Sequence, residues 1–221
     1  LDDLHVNATI SYKSPLYNNN NAHFLQKLAS CHNNTSAYPH AYAIYNKGDT
    51  LVVGGFWDGS LIMVTKDNKI EYILNPSYSH LHNKDSYSHL KPTNILQIHP
   101  SPITFICMNN NNTAAYCGTA NGHIFQFSIQ NKTQWTFTQT QHAHEASIKY
   151  ITLNTNLQML ASIGADNYVF IYTLPSLRIT SSLRFDYTSY IPDYVFLSSS
   201  PLPCFALYSL TNNEFKVYDI N

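Results

Sequence analysis

The chain is short of charge. Asp, Glu, Lys and Arg make up 11% of its 221 residues, well under the ~25% usual for folded domains. The net charge is −1 and no Lys/Arg cluster occurs. A nucleic-acid surface needs a positive footprint, so the composition argues against one. Glycine is also scarce, with seven in all and neither a P-loop nor a G-x-G-x-x-G arrangement. That argues against a phosphate cradle of either kind. The four cysteines, Cys31, Cys107, Cys117 and Cys204, form no C-x-x-C pair. They are sparse for a disulfide framework and lack structural-zinc spacing. The expectation is free thiols in a reducing, intracellular compartment. No apolar run approaches the ~18 residues of a membrane helix, and no secretory h-region is visible. Sequons at Asn7, Asn33, Asn34, Asn111 and Asn131 are those an Asn- and Thr-rich chain carries by chance.

Hydrophobic residues, at 44%, are enough for one large all-β domain with a core. Asn, Ser, Thr and Tyr stand in for charge; there are 24 Asn, with clusters at Asn18–Asn21 and Asn109–Asn112. Composition alone reads these clusters as polar loop filler. A repeat carries more information. Three twenty-residue stretches align without a gap: His40–Gly59, Ile103–Gly122 and Ile148–Asn167. Each reads as a strand, a polar turn, a second strand and a tight turn. The tight turns are Asp58-Gly59, Asn121-Gly122 and Asp166-Asn167. Such pairs accept positive φ and fix the register of antiparallel strands. An alternating third strand follows each, at Ser60–Val64, His123–Phe127 and Tyr168–Tyr172.

A fourth strand is expected after each, in KIEYIL, TQWTFTQ and LRITSSLRF. NILQIH competes with KIEYIL in the first unit. Four antiparallel strands per unit describe one blade of a β-propeller. The closing stretch reads as a degenerate fourth unit, with Asn212-Asn213 at its tight turn and Glu214–Asp219 as the next strand. Pro201 and Pro203 are expected in the turn before its second strand. Tight turns fall 63, 45 and 46 residues apart, and the last two intervals fit a period of ~40–45. The fold class expected is all-β, about four degenerate four-stranded blades from a larger ring. Their ranges are 36–74, 96–136, 142–185 and 186–221, with an insertion at about 75–93. Residues 1–35 are an irregular lead-in or the remnant of a preceding blade.

These units resemble WD40 repeats, which carry a His before the first strand, an Asp in the later tight turn and a Trp-Asp closing the third strand. His99 precedes Ile103 by four residues and Asn121 by 22, and His144 precedes Ile148 by four and Asp166 by 22. Tyr218-Asp219 stands at the Trp-Asp place of the last unit. The resemblance implies a buried network of the His, a Ser or Thr, the Asp and the Trp. The third unit fits it best, with His144, Ser162, Asp166 and Tyr172. Tyr replaces Trp there, so the donor geometry differs. The second unit offers His99, Cys117, Asn121 and Phe127, and most of the network is lost. The first keeps Asp58 beside Gly54 and Val64, with no evident His. A His/Ser/Asp set also suits nucleophilic catalysis. The structural role is preferred, because a satisfied buried network specifies geometry and the Asp fixes the imidazole tautomer.

Gly54–Leu61, GGFWDGSL, resembles the G-x-W-D-[GN]-S signature of the propeller that follows the BEACH domain in neurobeachin-like proteins. Ser198–Ser209 followed by FKVYDIN resembles the closing part of that propeller, and the resemblance spans roughly residues 36–221. It implies a cytoplasmic protein, membrane-associated by way of the full-length protein of which this stretch is a part, acting in vesicle trafficking, membrane dynamics or autophagy. BEACH and PH-like modules and earlier blades are then expected N-terminal to this stretch, since four units do not close a seven-bladed ring. A chain whose first residue is not Met fits such a segment.

The function expected is a non-catalytic protein-interaction scaffold without cofactor or metal. Its partners are other proteins, including the upstream modules of the same chain. Nucleic acid is excluded and membrane contact is indirect. The alternative is a generic WD40 subunit or adaptor of a coat or ubiquitin-ligase type of complex. An enzyme built on a propeller would gather acidic or His ligands at its channel, and no such set is evident. The eleven His include His142-Ala-His144 and an insertion trio, His80, His82 and His89, and are read as loop and network residues. Phe56 and Trp57 are candidate protein-binding residues, because exposed Trp anchors interfaces. A wedge between blades is the equal reading. Cys107 and Cys117 are placed to face each other across the Asn109–Asn112 turn as buried thiols.

Overall fold

The computed structural model describes residues 41–47, 49–55, 59, 61–64, 70–74, 101–131, 134–186, 190–199 and 203–220. Among them there is no helix. Fifteen strands form four antiparallel meanders in chain order. The first sheet holds β1 (Ala41–Lys47), β2 (Asp49–Gly55), β3 (Leu61–Val64) and β4 (Ile70–Leu74). The second holds β5 (Ile103–Met108), β6 (Ala114–Thr119), β7 (His123–Asn131) and β8 (Gln134–His142). The third holds β9 (Ile148–Asn154), β10 (Met159–Gly164), β11 (Tyr168–Thr173) and β12 (Arg178–Arg184). The fourth has three strands, β13 (Tyr194–Ser198), β14 (Cys204–Ser209) and β15 (Glu214–Asp219).

Turn chemistry explains the meanders. The residue that closes the turn before each third strand has positive φ: Gly59 at 82°, Gly122 at 82°, Asn167 at 69° and Asn213 at 52°. Glycine and asparagine are the residues that tolerate this region. A Cβ on Gly122 would also fall on the carbonyl oxygen of His144. The Asn-rich first turns are working parts rather than filler. Asn109 Oδ1 accepts the N–H groups of Thr113 and Ala114 at 2.7 and 3.0 Å. Asn154 Oδ1 accepts those of Asn156 and Leu157 at 3.0 and 3.1 Å. Both are side-chain mimics of a backbone turn.

Sheets stack face to face, with first strands adjacent: β1 beside β5, β5 beside β9, and β9 beside β13. Leu61 joins Ile103, Ile106, Cys117 and Phe127 in the joint between the first two sheets. On the far side of the second sheet, Phe105, Tyr116 and Ile124 share a core with Ile148, Ile151 and Leu160. A Cβ on Gly118 would lie 2.7 Å from Ile148 Cγ2, so the joint uses the space that glycine leaves. Each such buried aliphatic side chain contributes about 1.5–3 kcal/mol. An aromatic run crosses two joints, Phe105 to Tyr150 at 4.9 Å and Tyr150 to Tyr194 at 5.2 Å between centroids.

Four details differ from the sequence reading or decide it. Ile70–Leu74 pairs with β3, so KIEYIL supplies the fourth strand, and NILQIH lies outside the described residues, as do the insertion and residues 1–35. β8 runs on to His142, past the expected edge of the second unit at 136. Pro203 precedes β14, while Pro201 is not among the described residues. Cys107 and Cys117 do not face each other. Cys107 pairs with Tyr116 and Cys117 with Ile106, and neighbouring positions on a strand point to opposite faces. Both are free thiols, and burial pushes the Cys107 pKa up to about 12.

Candidate functional site

The loop entering β9, the β10 strand, the turn after it and β11 converge on one buried polar chain. His144, Ser162 and Tyr172 are fully buried, and the Asp166 side chain is 10% exposed. His144 Nδ1 lies 2.9 and 3.1 Å from the two Asp166 oxygens. His144 Nε2 lies 2.7 Å from Ser162 Oγ. Ser162 Oγ lies 2.8 Å from the Tyr172 hydroxyl.

Donor bookkeeping gives this chain a direction. A carboxylate only accepts, so Nδ1 carries the proton and donates to Asp166. In a neutral imidazole Nε2 then accepts, so Ser162 donates to it. Ser162 Oγ keeps lone pairs free, and the Tyr172 hydroxyl donates into one. Tyr thus delivers an O–H to the serine where the repeat signature has a Trp N–H. Burial lowers the His144 pKa from its ordinary 6.5, opposing the Asp166 hydrogen bond and charge, which raise it. Burial likewise raises the Tyr172 pKa, against the Ser162 hydrogen bond. Asp166 also accepts the N–H groups of Glu145 at 3.0 Å and Tyr168 at 3.1 Å. It therefore ties the entering loop, the turn and the third strand together. The Phe170 ring packs edge-on against His144 at 4.8 Å.

Gly164 is a participant that pattern reading passed over. A Cβ there would collide with His144 Nδ1 and Asp166 Oδ1. The signal was available: it is the only glycine in Ile148–Asn167, at the strand end beside the turn Asp. The ungapped repeat puts Thr119 at the same place in the second unit. There Thr119 Oγ1 donates to Asn121 Oδ1 at 2.6 Å and accepts the His123 N–H at 2.9 Å. The Asn121 N–H donates to Ser101 Oγ at 3.1 Å. The second unit thus holds its turn through Thr119 and Ser101, with Cys117 and Phe127 buried as apolar groups. His99, Asp58, Phe56 and Trp57 lie outside the described residues.

The fourth unit uses another device. Tyr190 stands four residues before β13, as His144 stands four before β9. It is buried, and its hydroxyl reaches the carbonyls of Leu207 at 2.8 Å and Glu214 at 3.1 Å. Lys216 Nζ sits 4.2 Å over its ring. His142 stacks on His123 at 4.4 Å rather than joining His144. Among the described residues no three His, Cys, Asp or Glu side chains gather as a metal set, and no helix is long and apolar enough to cross a membrane. Chemically, the third-unit chain can fix a loop, a turn and two strands. Its serine donates to an imidazole that is itself sealed from solvent.

No family model matches the chain, and no curated protein matches it. Solved structures do. The chain is 10% identical to the β-propeller domain of Cps50 (Swd1) from Myceliophteria thermophila, with a TM-score of 0.60 over 87% of this chain and 57% of that one. A chain of the mitotic checkpoint complex is 14% identical, with a TM-score of 0.58 over 84% and 51%. The computationally designed Ika8 protein is 13% identical, with a TM-score of 0.57 over 83% and 46%. The chain thus spans about half the length of these structures. At such identities the likeness carries the fold alone: the four sheets are blades of a β-propeller.

Proposed function

We propose that the chain is a non-catalytic docking scaffold, the propeller portion of a BEACH-type protein acting in membrane trafficking. The observation that carries the scaffold reading is the closed polar chain of the third blade. Its one candidate nucleophile, Ser162, is fully buried and bonded on both sides, to His144 and to Tyr172. A hydroxyl so held orients blade parts, whereas a nucleophile must meet substrate. The BEACH reading is supported by Gly54–Leu61 and by the closing segment Ser198–Asn221. Phe56 and Trp57 are its contact candidates.

The finer reading is tested on the messenger RNA. A BEACH domain encoded upstream in the same frame is the expected result, and its absence removes the trafficking assignment. The contact role is tested by quantitative affinity capture with intact chain and with Trp57→Ala. Unchanged recovery of every partner removes Trp57 from the site. The alternative is an adaptor of another multiprotein complex. It draws on the likeness to a chain of the mitotic checkpoint complex, and the same upstream sequence separates the two.

A further inference from the structure

We propose that His123 and His142 form a two-imidazole seat for a borderline divalent metal ion, zinc, nickel or copper(II), at one end of the second blade. The seat adds a ligand to the scaffold and is independent of the trafficking reading.

β7 and β8 pair antiparallel, and their register sets His123 directly opposite His142. Opposite residues carry Cβ atoms about 4.5–5.5 Å apart on one face of a sheet. The two rings stack, with centroids 4.4 Å apart and planes 16° from parallel. Both backbones are fixed beside the pair. The Gly122 carbonyl, one residue before His123, accepts the N–H of Ala143 at 3.1 Å and that of His144 at 3.2 Å. The blade itself does not call for two imidazoles at this corner. The matching cross-strand pair of the third blade is Tyr168 with Arg184, and there the guanidinium lies 5.8 Å over the tyrosine ring. A guanidinium on a phenol ring packs the corner without offering a metal a nitrogen lone pair, whereas two neutral imidazoles offer two.

Metals bind the neutral imidazole, and the surroundings of His123 favour that form. Burial lowers its pKa, His142 lowers it further, and the Asn121 backbone opposes both by hydrogen bonding. His123 Nδ1 is buried and makes no close hydrogen bond, so Nε2 is the nitrogen left for an ion. A metal on Nε2 keeps the ring proton on Nδ1, the donor state that the Asn121 backbone favours. His142 is exposed, and its ring is free to turn. That turn is required, because a metal lies in the plane of each imidazole it binds, with zinc at about 2.0–2.1 Å from the nitrogen. The two lone pairs meet when the planes fan open from their 16°. The ion then ties β7 to β8 in place of the stacking contact. Among the described residues no third His, Cys, Asp or Glu completes a set. The seat is therefore open, unlike a closed structural zinc site, and water fills its other positions.

Calorimetric titration of the 221-residue chain, free of any histidine tag, with zinc chloride and with nickel chloride at pH 7.5 tests this. One ion per chain is expected at the tightest site, with magnesium and calcium chloride giving no uptake there, since imidazole suits the borderline ions and oxygen ligands the hard ones. His123→Phe keeps a ring for the stack and removes its nitrogens, and His142→Gln removes the other donor. Each substitution is expected to weaken binding about 100-fold, because one donor remains where two were held together. Should these variants unfold, nuclear magnetic resonance of the unmodified chain decides. The ring protons of His123 and His142 are expected to broaden together at substoichiometric nickel, ahead of those of the other histidines. Absence of binding, binding that either substitution leaves unchanged, equal uptake of calcium, or broadening that begins at other histidines overturns the proposal.

Discussion

At the scale of single residues, the third blade concentrates its polar energetics in four side chains. Their value lies in completeness, because a buried polar group that loses its partner costs about 1–3 kcal/mol. Ser162→Ala strips the acceptor from Tyr172 and the donor from His144 Nε2, so a loss of about 2–3 kcal/mol in urea unfolding is expected. Tyr172→Phe removes only the terminal donor and is expected to cost about 1 kcal/mol. The double variant should lose less than the two single losses added, because the groups share one network. Strict additivity would mean that the hydroxyls act independently. The same chain has a pH signature. Burial holds the folded His144 below its ordinary 6.5, so the unfolded chain takes up this proton first. Stability is then full above about pH 6.5 and falls as pH drops through that value toward the lower folded pKa. The slope approaches about 1.4 kcal/mol per pH unit for one such group. His123 is lowered in the same direction, by burial and by His142. Unfolding of His144→Asn at pH 7.5 and 5.5 separates the two: a flattened slope assigns it to His144, and an unchanged slope assigns it to other histidines.

At the scale of strands and turns, the register and the turns were legible because their chemistry is local. Asn-Gly and Asp-Asn demand positive φ wherever they sit, and Gly122 and Asn167 show it at 82° and 69°. Gly122→Ala is accordingly expected to cost several kcal/mol, since strained φ and a Cβ on the His144 carbonyl act together. Asn167→Gly at the matching turn should change stability by less than about 1 kcal/mol. Equal losses at both positions in thermal melts would show that backbone conformation is not what the turn selects. What was not legible depended on partners distant in sequence. Period-two alternation does not say that Cys107 and Cys117 point apart, because a one-residue slip of register exchanges the faces. That Thr119 holds the turn of the second unit required knowing what fills the space beside Gly164. The four-residue lead from Tyr190 to β13 was countable, yet its hydroxyl bonds to backbone carbonyls that no side-chain signature records.

At the scale of the whole molecule, sheets that touch only their neighbours behave as a one-dimensional array. Stability is then highest where a blade is covered on both faces. The third blade meets this condition, with core residues shared on each side, while the fourth is closed on its inner face and exposed at Phe215 and Val217 on the other. Local opening follows such differences in buried apolar contact. Native-state hydrogen exchange is expected to show β9–β11 slowest and β13–β15 distinctly faster in dilute chain. Leu207→Ala should widen the gap. It removes a fully buried side chain at the joint and costs about 2–5 kcal/mol as a cavity. The loss should fall on β13–β15 and leave β5–β8 nearly unchanged, because the second blade is not its neighbour. Uniform exchange across all four blades would mean that the blades open as one unit, and nearest-neighbour energetics would not describe this propeller.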